Sequence, residues 1–326
     1  MFDSEKRFFQ KKLYKNPLIL KDRSVGLAVG ILKIVFIIGL CYLFLFPVFY
    51  MSSTALQGPE AADDPSVIWI PKVISFVSIK GVIDVLDYWK SIGLTATIAI
   101  GSTIASVISC ALVGYGFARF DFREKKFAFA LVLLTIIVPP QTILMSTYIN
   151  YRFFDFSGLL SIFSGTSINL LNTPWTFVLP SFFASGLRSG LFIFVFLQSF
   201  KGLPKDLEEA AAIDGCGSIP TYFKIMVPLA VPAFITVILF SFIWHWNDLY
   251  SSAMYFNEEL RPITVRLSEL STLLQNAQIY SQDMSPFEIR SYMQAGALLT
   301  VLPPLVLYIF TQKYFTESIE RTGIVG

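Results

Sequence analysis

Residues 208–229 read EEAAAIDGCGSIPTYFKIMVPL, the most polar helix-forming stretch in the second half of an otherwise oily chain. Glu208, Glu209 and Asp214 stand between two long apolar runs, with glycines at 215 and 217 and a proline on each side of Tyr222. Upstream, KDLEEAAAI (205–213) is built of strong helix formers, with its acids early, where the positive end of the helix dipole favours them. Pro204 suits a first helical position. Gly215 and Gly217 then end this helix and permit a sharp turn, and a second short helix, IPTYFKIM (219–226), leads to Pro228. Such a bent pair offers no nucleophile–base arrangement. Its shape suits a groove on another protein.

The rest of the chain says where this element sits. Of 326 residues 54% are hydrophobic and 15% charged, with a mean hydropathy of +0.63. A soluble domain is nearer about 45–50% apolar and about 25% charged, so the bilayer is the natural solvent here. Cys41, Cys110 and Cys216 are scattered, which gives neither a disulfide framework nor a zinc site. One His excludes a multi-His metal centre, and a net charge of +2 gives no reason to expect nucleic acid.

A membrane helix needs about 20 mostly apolar residues. Six windows qualify, roughly 25–51, 91–118, 127–150, 174–200, 225–250 and 291–312, with Lys33 in the first and Arg188 in the fourth. The first is far longer than a signal-peptide core and follows a polar tail, so it is read as a helix. Basic residues gather on the cytoplasmic side of membranes. Segments 1–24, 117–127, 201–224 and 313–326 carry seven, four, three and two Lys or Arg, and the intervening loops carry seven in all. The expectation is an all-α protein in the cell membrane, with six spans and both termini cytoplasmic. Its parts are a basic tail (1–24) near anionic lipid, a first helix (25–51), an external segment (52–90), a five-helix core (91–314) and a C-terminal tail (315–326).

Several stretches refine this. In the second span, Thr97, Gly101, Ala105 and Ser109 recur every four residues, as do Ser102, Ser106, Cys110 and Gly114. Small residues at that spacing let helix backbones approach closely in lipid, so this span is expected to be central. IVPPQT (137–142) and VLPPLV (301–306) place proline pairs inside spans, where each removes a backbone hydrogen bond and kinks the helix. RPITVRLSELSTLLQNAQ (261–278) is expected to form an external surface helix. Trp69, Trp89, Trp175, Trp244 and Trp246 fall at or beyond external span ends, and are read as an aromatic belt rather than sugar-stacking platforms. Arg188, in FFASGLRSGLFIF (182–194), lies thirteen residues before Lys201. At 1.5 Å per residue it is about 20 Å up the fourth span, where an Arg costs roughly 2.5–3.5 kcal/mol unless it faces a cavity or partner. With Gln141, Asn247 and Asp248 it is expected to line a translocation path.

At EAAAIDG, followed by Ile225 and by Pro228–Leu229, the chain resembles the E-A-A loop of ATP-binding-cassette importer permeases. GYGFARFDF (114–122), WND (246–248) and the ending QKYFTESIERTGIVG (312–326) resemble segments of the carbohydrate-uptake members of maltose, multiple-sugar and glycerol-phosphate type. The likeness spans roughly residues 25–326; Cys216 replaces a usual Ala, Val325 a frequent Lys, and the stretch 153–172 is longer than typical. The resemblance implies a type I importer permease fold, paired with a second homologous permease subunit in a heterodimer. It implies two ATPase subunits that bind ATP and Mg, and an external solute-binding protein; no cofactor is expected on this chain. It makes Glu209, Ala210, Asp214, Gly215 and Glu208 the ATPase-coupling residues, and Thr322, Gly323 and Gly326 a C-terminal ATPase contact.

Three rival readings stand beside it: an importer of a non-sugar solute, a secondary carrier and a membrane-embedded enzyme. A carrier has no need of the loop and usually shows internal repeats, of which none is evident. HWND places His245 and Asp248 one turn apart, but no G-x-S-x-G nucleophile motif accompanies them. No G-x-x-x-x-G-K-[ST] run occurs, so any ATP chemistry belongs to a partner.

Overall fold

In the computed structural model, residues 17–58, 71, 73–155, 158, 166–277 and 286–323 are described, without the side chains of 17–25, 27 and 314–323. The described residues form helices α1 (Pro17–Ala55), α2 (Val77–Val85), α3 (Tyr88–Arg119), α4 (Lys125–Ile137), α5 (Leu144–Arg152), α6 (Trp175–Phe182), α7 (Ser189–Gly202), α8 (Asp206–Ile213), α9 (Ser218–Leu229), α10 (Val231–Trp246), α11 (Tyr250–Tyr255), α12 (Ile263–Ser268), α13 (Leu270–Asn276) and α14 (Pro286–Gly323). Only isolated β-bridges, Gln57–Ile74 and Phe154–Ile168, occur among them.

The organising element is α3, which packs along α7, α10 and α6. Its small-residue rows make this possible: Ser102, Ala105, Ser106, Ser109, Cys110 and Gly114 are all buried. A Cβ on Gly114 would lie 2.6 Å from Phe196 Cβ and 3.0 Å from the Leu197 nitrogen, so α3 and α7 touch backbone to backbone there. Ser109 Oγ donates to Ser181 O on α6 at 2.7 Å. The expected central span is central. Helix α1 is apolar on every side, lies against α14, and leaves Ile34, Phe36, Ile38 and Phe44 exposed, as a lipid-facing helix does.

Three helices are long and apolar enough to cross a membrane: Ala28–Ala55 in α1, Tyr88–Arg119, and Pro286–Lys313 in α14. Two bent pairs raise the number to five: α4 with Pro140–Arg152, at 96°, and α9 with α10, at 77°. The six uninterrupted windows read from hydropathy do not all form as single helices. Val138 is extended because it precedes Pro139, which disfavours the helical region, and a 3₁₀ turn over Pro140–Ile143 restarts the chain. The fourth window breaks at 183–188, where Ala184 and Arg188 take φ of 53° and 61°. Pro303 and Pro304, by contrast, sit inside a continuous α14. Helix α1 begins at Pro17, inside the stretch read as a tail.

Two further expectations change. The 261–278 stretch is not a surface helix over its described part: α12 and α13 bury Ile263, Val265, Leu270 and Leu274, and the Ile263 N–H donates to Thr95 Oγ1 on α3 at 2.8 Å. Trp89 and Trp175 are exposed as belt residues, but Trp246 is core, its Nε1 donating to Thr300 O at 3.1 Å. Trp69 lies outside the described residues.

Candidate functional site

The α8–α9 unit projects from the bundle on a buried root. Helix α8 opens after Lys205, with Asp206, Glu208 and Glu209 in its first turn. It closes in a Schellman arrangement: Cys216 N–H donates to Ala211 O at 2.8 Å and Gly215 N–H to Ala212 O at 3.1 Å. Gly215 takes φ of 79°, a conformation that a Cβ would strain, so glycine there has a local cause. Pro204 lies just ahead of the cap rather than at the first helical position. Helix α9 plugs the unit into the bundle: Tyr222 and Met226 are buried, and the Tyr222 ring lies 4.9 Å from Tyr115 and 6.0 Å from Phe200.

The outward face combines acids with bare hydrocarbon. Glu209, Ala210, Asp214 and Gly215 are exposed. Beside them Ile213 is 86% exposed, Ile219 72% and Phe223 62%. Exposed apolar side chains grouped beside polar ones are a common mark of an interaction surface. Glu208 behaves differently: its Oε1 accepts from the Tyr115 hydroxyl at 3.0 Å, and its Oε2 pairs with Arg119 Nε at 3.4 Å. The neighbouring turn is charged as well. Lys125 Nζ, bonded to Asp121 Oδ1 at 3.0 Å, holds that carboxyl below the usual carboxylate range, and Lys205 adds a smaller push.

Away from this unit, three chain breaks converge on two adjoining cavities. One, of about 400 Å³, is lined by Thr135, Thr147, Tyr151, Thr176, Arg188 and Tyr255 among others. The second, of about 180 Å³, is lined by Gln141, Arg188, Trp244, Asn247 and Asp248 among others. The four residues read from sequence as a translocation path therefore border one cavity. Arg188 stands at the N-cap of α7 and not in the middle of a helix, with its guanidinium 5.6 Å over the Trp244 ring. Asp248 uses both oxygens locally, accepting from Ser251 Oγ at 3.1 Å and from the Ser252 N–H at 2.8 Å, and so caps α11. His245 is buried and its Nδ1 bonds Ser241 O at 2.8 Å, so the two residues of HWND form no acid–base dyad.

The family model for the inner membrane component of binding-protein-dependent transport systems matches residues 34–321. The chain belongs to that family. The permease is 27% identical over 303 residues to the arabinooligosaccharides transport system permease protein AraQ of Halalkalibacterium halodurans, covering 92% of this chain and 96% of AraQ. It is 30% identical over 263 residues to the osmoprotective compounds uptake permease protein GgtD of Synechocystis sp., covering 78% and 77%. Its fold resembles a chain in the crystal structure of a bacterial ABC transporter that imports the acidic polysaccharide alginate, at a TM-score of 0.68 and 21% identity over 90% of this chain and 98% of the other.

Membership makes the chain a transport component of a cell membrane and not an enzyme. Among the residues read from sequence, Glu209, Ala210, Asp214 and Gly215 share the outward face, and Glu208 does not join them. Thr322 and Gly323 lie at the end of α14, and Gly326 is outside the described residues. Sequence reading missed Ile213, Ile219 and Phe223, although apolar residues inside the one polar stretch were the available signal. Tyr115 and Arg119 of GYGFARFDF reach Glu208 on α8, a contact that no local pattern signals.

Proposed function

We propose that this permease is one of two membrane subunits of an ATP-driven carbohydrate importer, forming half of the solute path and coupling it to cytoplasmic ATPases. Six crossings account for the helices: α1, α3, the bent α4–α5 pair, the interrupted α6–α7 pair, α10 entered through α9, and α14. Both termini and the α8–α9 unit lie on the cytoplasmic side, in keeping with the Lys and Arg distribution. The sugar class is supported by the relatives' names, which include arabinooligosaccharides and melibiose, raffinose and stachyose.

The observation that carries the reading is the α8–α9 unit. It has a buried aromatic root and an outward face of Glu209, Asp214, Ile213, Ile219 and Phe223, which suits insertion into a groove on another protein. The groove is assigned to one of two ATPase subunits, which bind ATP and Mg. The C-terminal residues Thr322, Gly323 and Gly326 add a second contact there. At the other end, an external binding protein delivers solute to the breaks around Arg188, Gln141, Asn247 and Asp248. ATP-driven closure of the ATPases moves α8–α9, and the helices rock between outward and inward openings.

Affinity purification from the native membrane tests this directly. The expected result is co-purification of a second permease and a soluble ATPase. A chain recovered without any ATPase refutes the assignment. Ligand identification on the binding protein encoded alongside it tests the sugar class separately, and a non-carbohydrate ligand overturns that part alone.

A further inference from the structure

Glu208 and Glu209 are neighbours in sequence, but on α8 they point about 100° apart, Glu208 toward Arg119 and Glu209 to solvent. We propose that Arg119 and Tyr115 at the end of α3 grip Glu208 as an internal latch, through which displacement of α8 enters the bundle. This rests on the importer reading above, and it separates two tasks within the loop. Glu209 belongs to docking, and Glu208 to transmission.

One hydrogen bond and one ion pair hold the Glu208 carboxylate. Tyr115 donates its hydroxyl to Glu208 Oε1 at 3.0 Å, and Arg119 Nε pairs with Oε2 at 3.4 Å. Arg119 Nη2 donates to Leu203 O at 2.8 Å, in the link between α7 and α8. The Arg119 side chain is only 5% exposed and that of Glu208 23%, so water screens this pair far less than a surface pair. The Tyr115 ring packs on Phe200 of α7, Tyr222 of α9 and Phe120. One end of α3 thus holds α7, α8 and α9 together.

The remaining grip of α8 on the bundle is slight. Ala211 is its one buried residue among those described, and it offers a single methyl group. A push on the exposed face of α8 therefore reaches α3 directly through Glu208, beside the route through the buried root of α9. It arrives on α3, the helix packed along α6, α7 and α10, which carry two of the three breaks that border the cavities. Chains of packed side chains and hydrogen bonds of this kind carry energetic coupling between distant sites. A loop held only by apolar packing would slide. The Tyr115 hydrogen bond and the Arg119 ion pair to Glu208 resist it.

The test uses the whole importer with its ATPases, with Asn247→Cys as a reporter at the cavity and serine at positions 41, 110 and 216. Alkylation by a charged maleimide is compared in the apo state and after trapping with ATP and vanadate. With the latch intact, trapping changes the alkylation rate several-fold. In Arg119→Ala the ATPase subunits stay bound and hydrolyse ATP, and the rate no longer responds to trapping. Glu208→Gln keeps one acceptor oxygen and turns the other into an amide donor, so it weakens the response without abolishing it.

A buried ion stripped of its partner is strongly destabilising, so Arg119→Met with Glu208→Met provides a second arm without an orphan charge. A merely structural pair predicts that this double variant recovers the response. The latch predicts a folded complex that still fails to respond. Recovery in the double variant, an undiminished response in Arg119→Ala, or loss of the ATPases from Arg119→Ala each overturns the proposal. If the parent complex holds no ATPase, the importer reading fails first and the latch falls with it.

Discussion

Gly114 gives the sharpest quantitative test of how this bundle is held. A methyl group there would sit 2.6 Å from Phe196 Cβ, 3.0 Å from the Leu197 nitrogen and 3.1 Å from Ile193 O. Ordinary carbon contacts begin near about 3.5 Å, so α3 and α7 must separate by about 1 Å to admit it. Two of the three opposing atoms are backbone, and Phe196 Cβ is fixed to its own, so no rotamer change relieves the clash. Over-packing of this kind costs about 1–3 kcal/mol, and a rigid backbone contact argues for the upper end. Gly116 provides the control on the same helix. Nothing lies within 4 Å of a Cβ there. Alanine at that position gains about 0.5–1 kcal/mol from helix propensity alone. Gly114→Ala and Gly116→Ala are thus expected to shift stability in opposite directions, which reversible denaturation in mixed micelles, followed by circular dichroism, will read. If Gly114→Ala matches or exceeds the parent in stability, the close α3–α7 contact is not what holds these helices.

Other outcomes follow from the same geometry. Glu209→Ala is expected to weaken ATPase association and lower transport while membrane insertion is unchanged, since truncating one partner of a buried interfacial charge pair costs roughly 2–5 kcal/mol; wild-type uptake in that variant removes the docking role from this residue. Arg188→Ala should impair solute uptake while the complex still assembles, and an experimental structure with the guanidinium among lipid headgroups, away from the cavity, would refute it. Deleting residues 320–326 is expected to alter ATPase stimulation without changing the fold; unchanged stimulation and uptake would make the tail a passive end.

Hydropathy made the membrane class legible, and the small-residue rows on α3 made its central place legible, because both depend on local patterns. The outward acids of the loop were legible too. What sequence concealed were facts of relative rotation. Glu208 and Glu209 look equivalent in EEAAAIDG, and only the packing of α8 on α3 turns one toward Arg119 and the other to solvent. Trp246 looked like a belt residue because it closes an apolar run, while the stretch that covers it, α12 and α13, was expected to be surface. The break at 183–188 was hidden by a run of residues that hydropathy scores as continuous.

That break is also where the physics of the fold and of transport meet. Helix α7 has 14 residues, which at 1.5 Å each rise about 21 Å, short of a hydrocarbon core about 30 Å thick. If the α6–α7 pair crosses the bilayer, its interruption lies inside it, and backbone groups freed there need protein or water to satisfy them. The structure meets that need in one place. Pro140 from the α4–α5 break, residues 184–188 from the α6–α7 break, and Asn247 to Leu249 from the end of α10 all border the two adjoining cavities. The linings are mainly apolar, with Thr135, Thr147, Arg188, Asn247 and Asp248 among them, so the freed groups meet protein and a few polar side chains in one region. Under the importer reading proposed above, that region is where a solute path is to be sought, and the Arg188→Ala test bears on it.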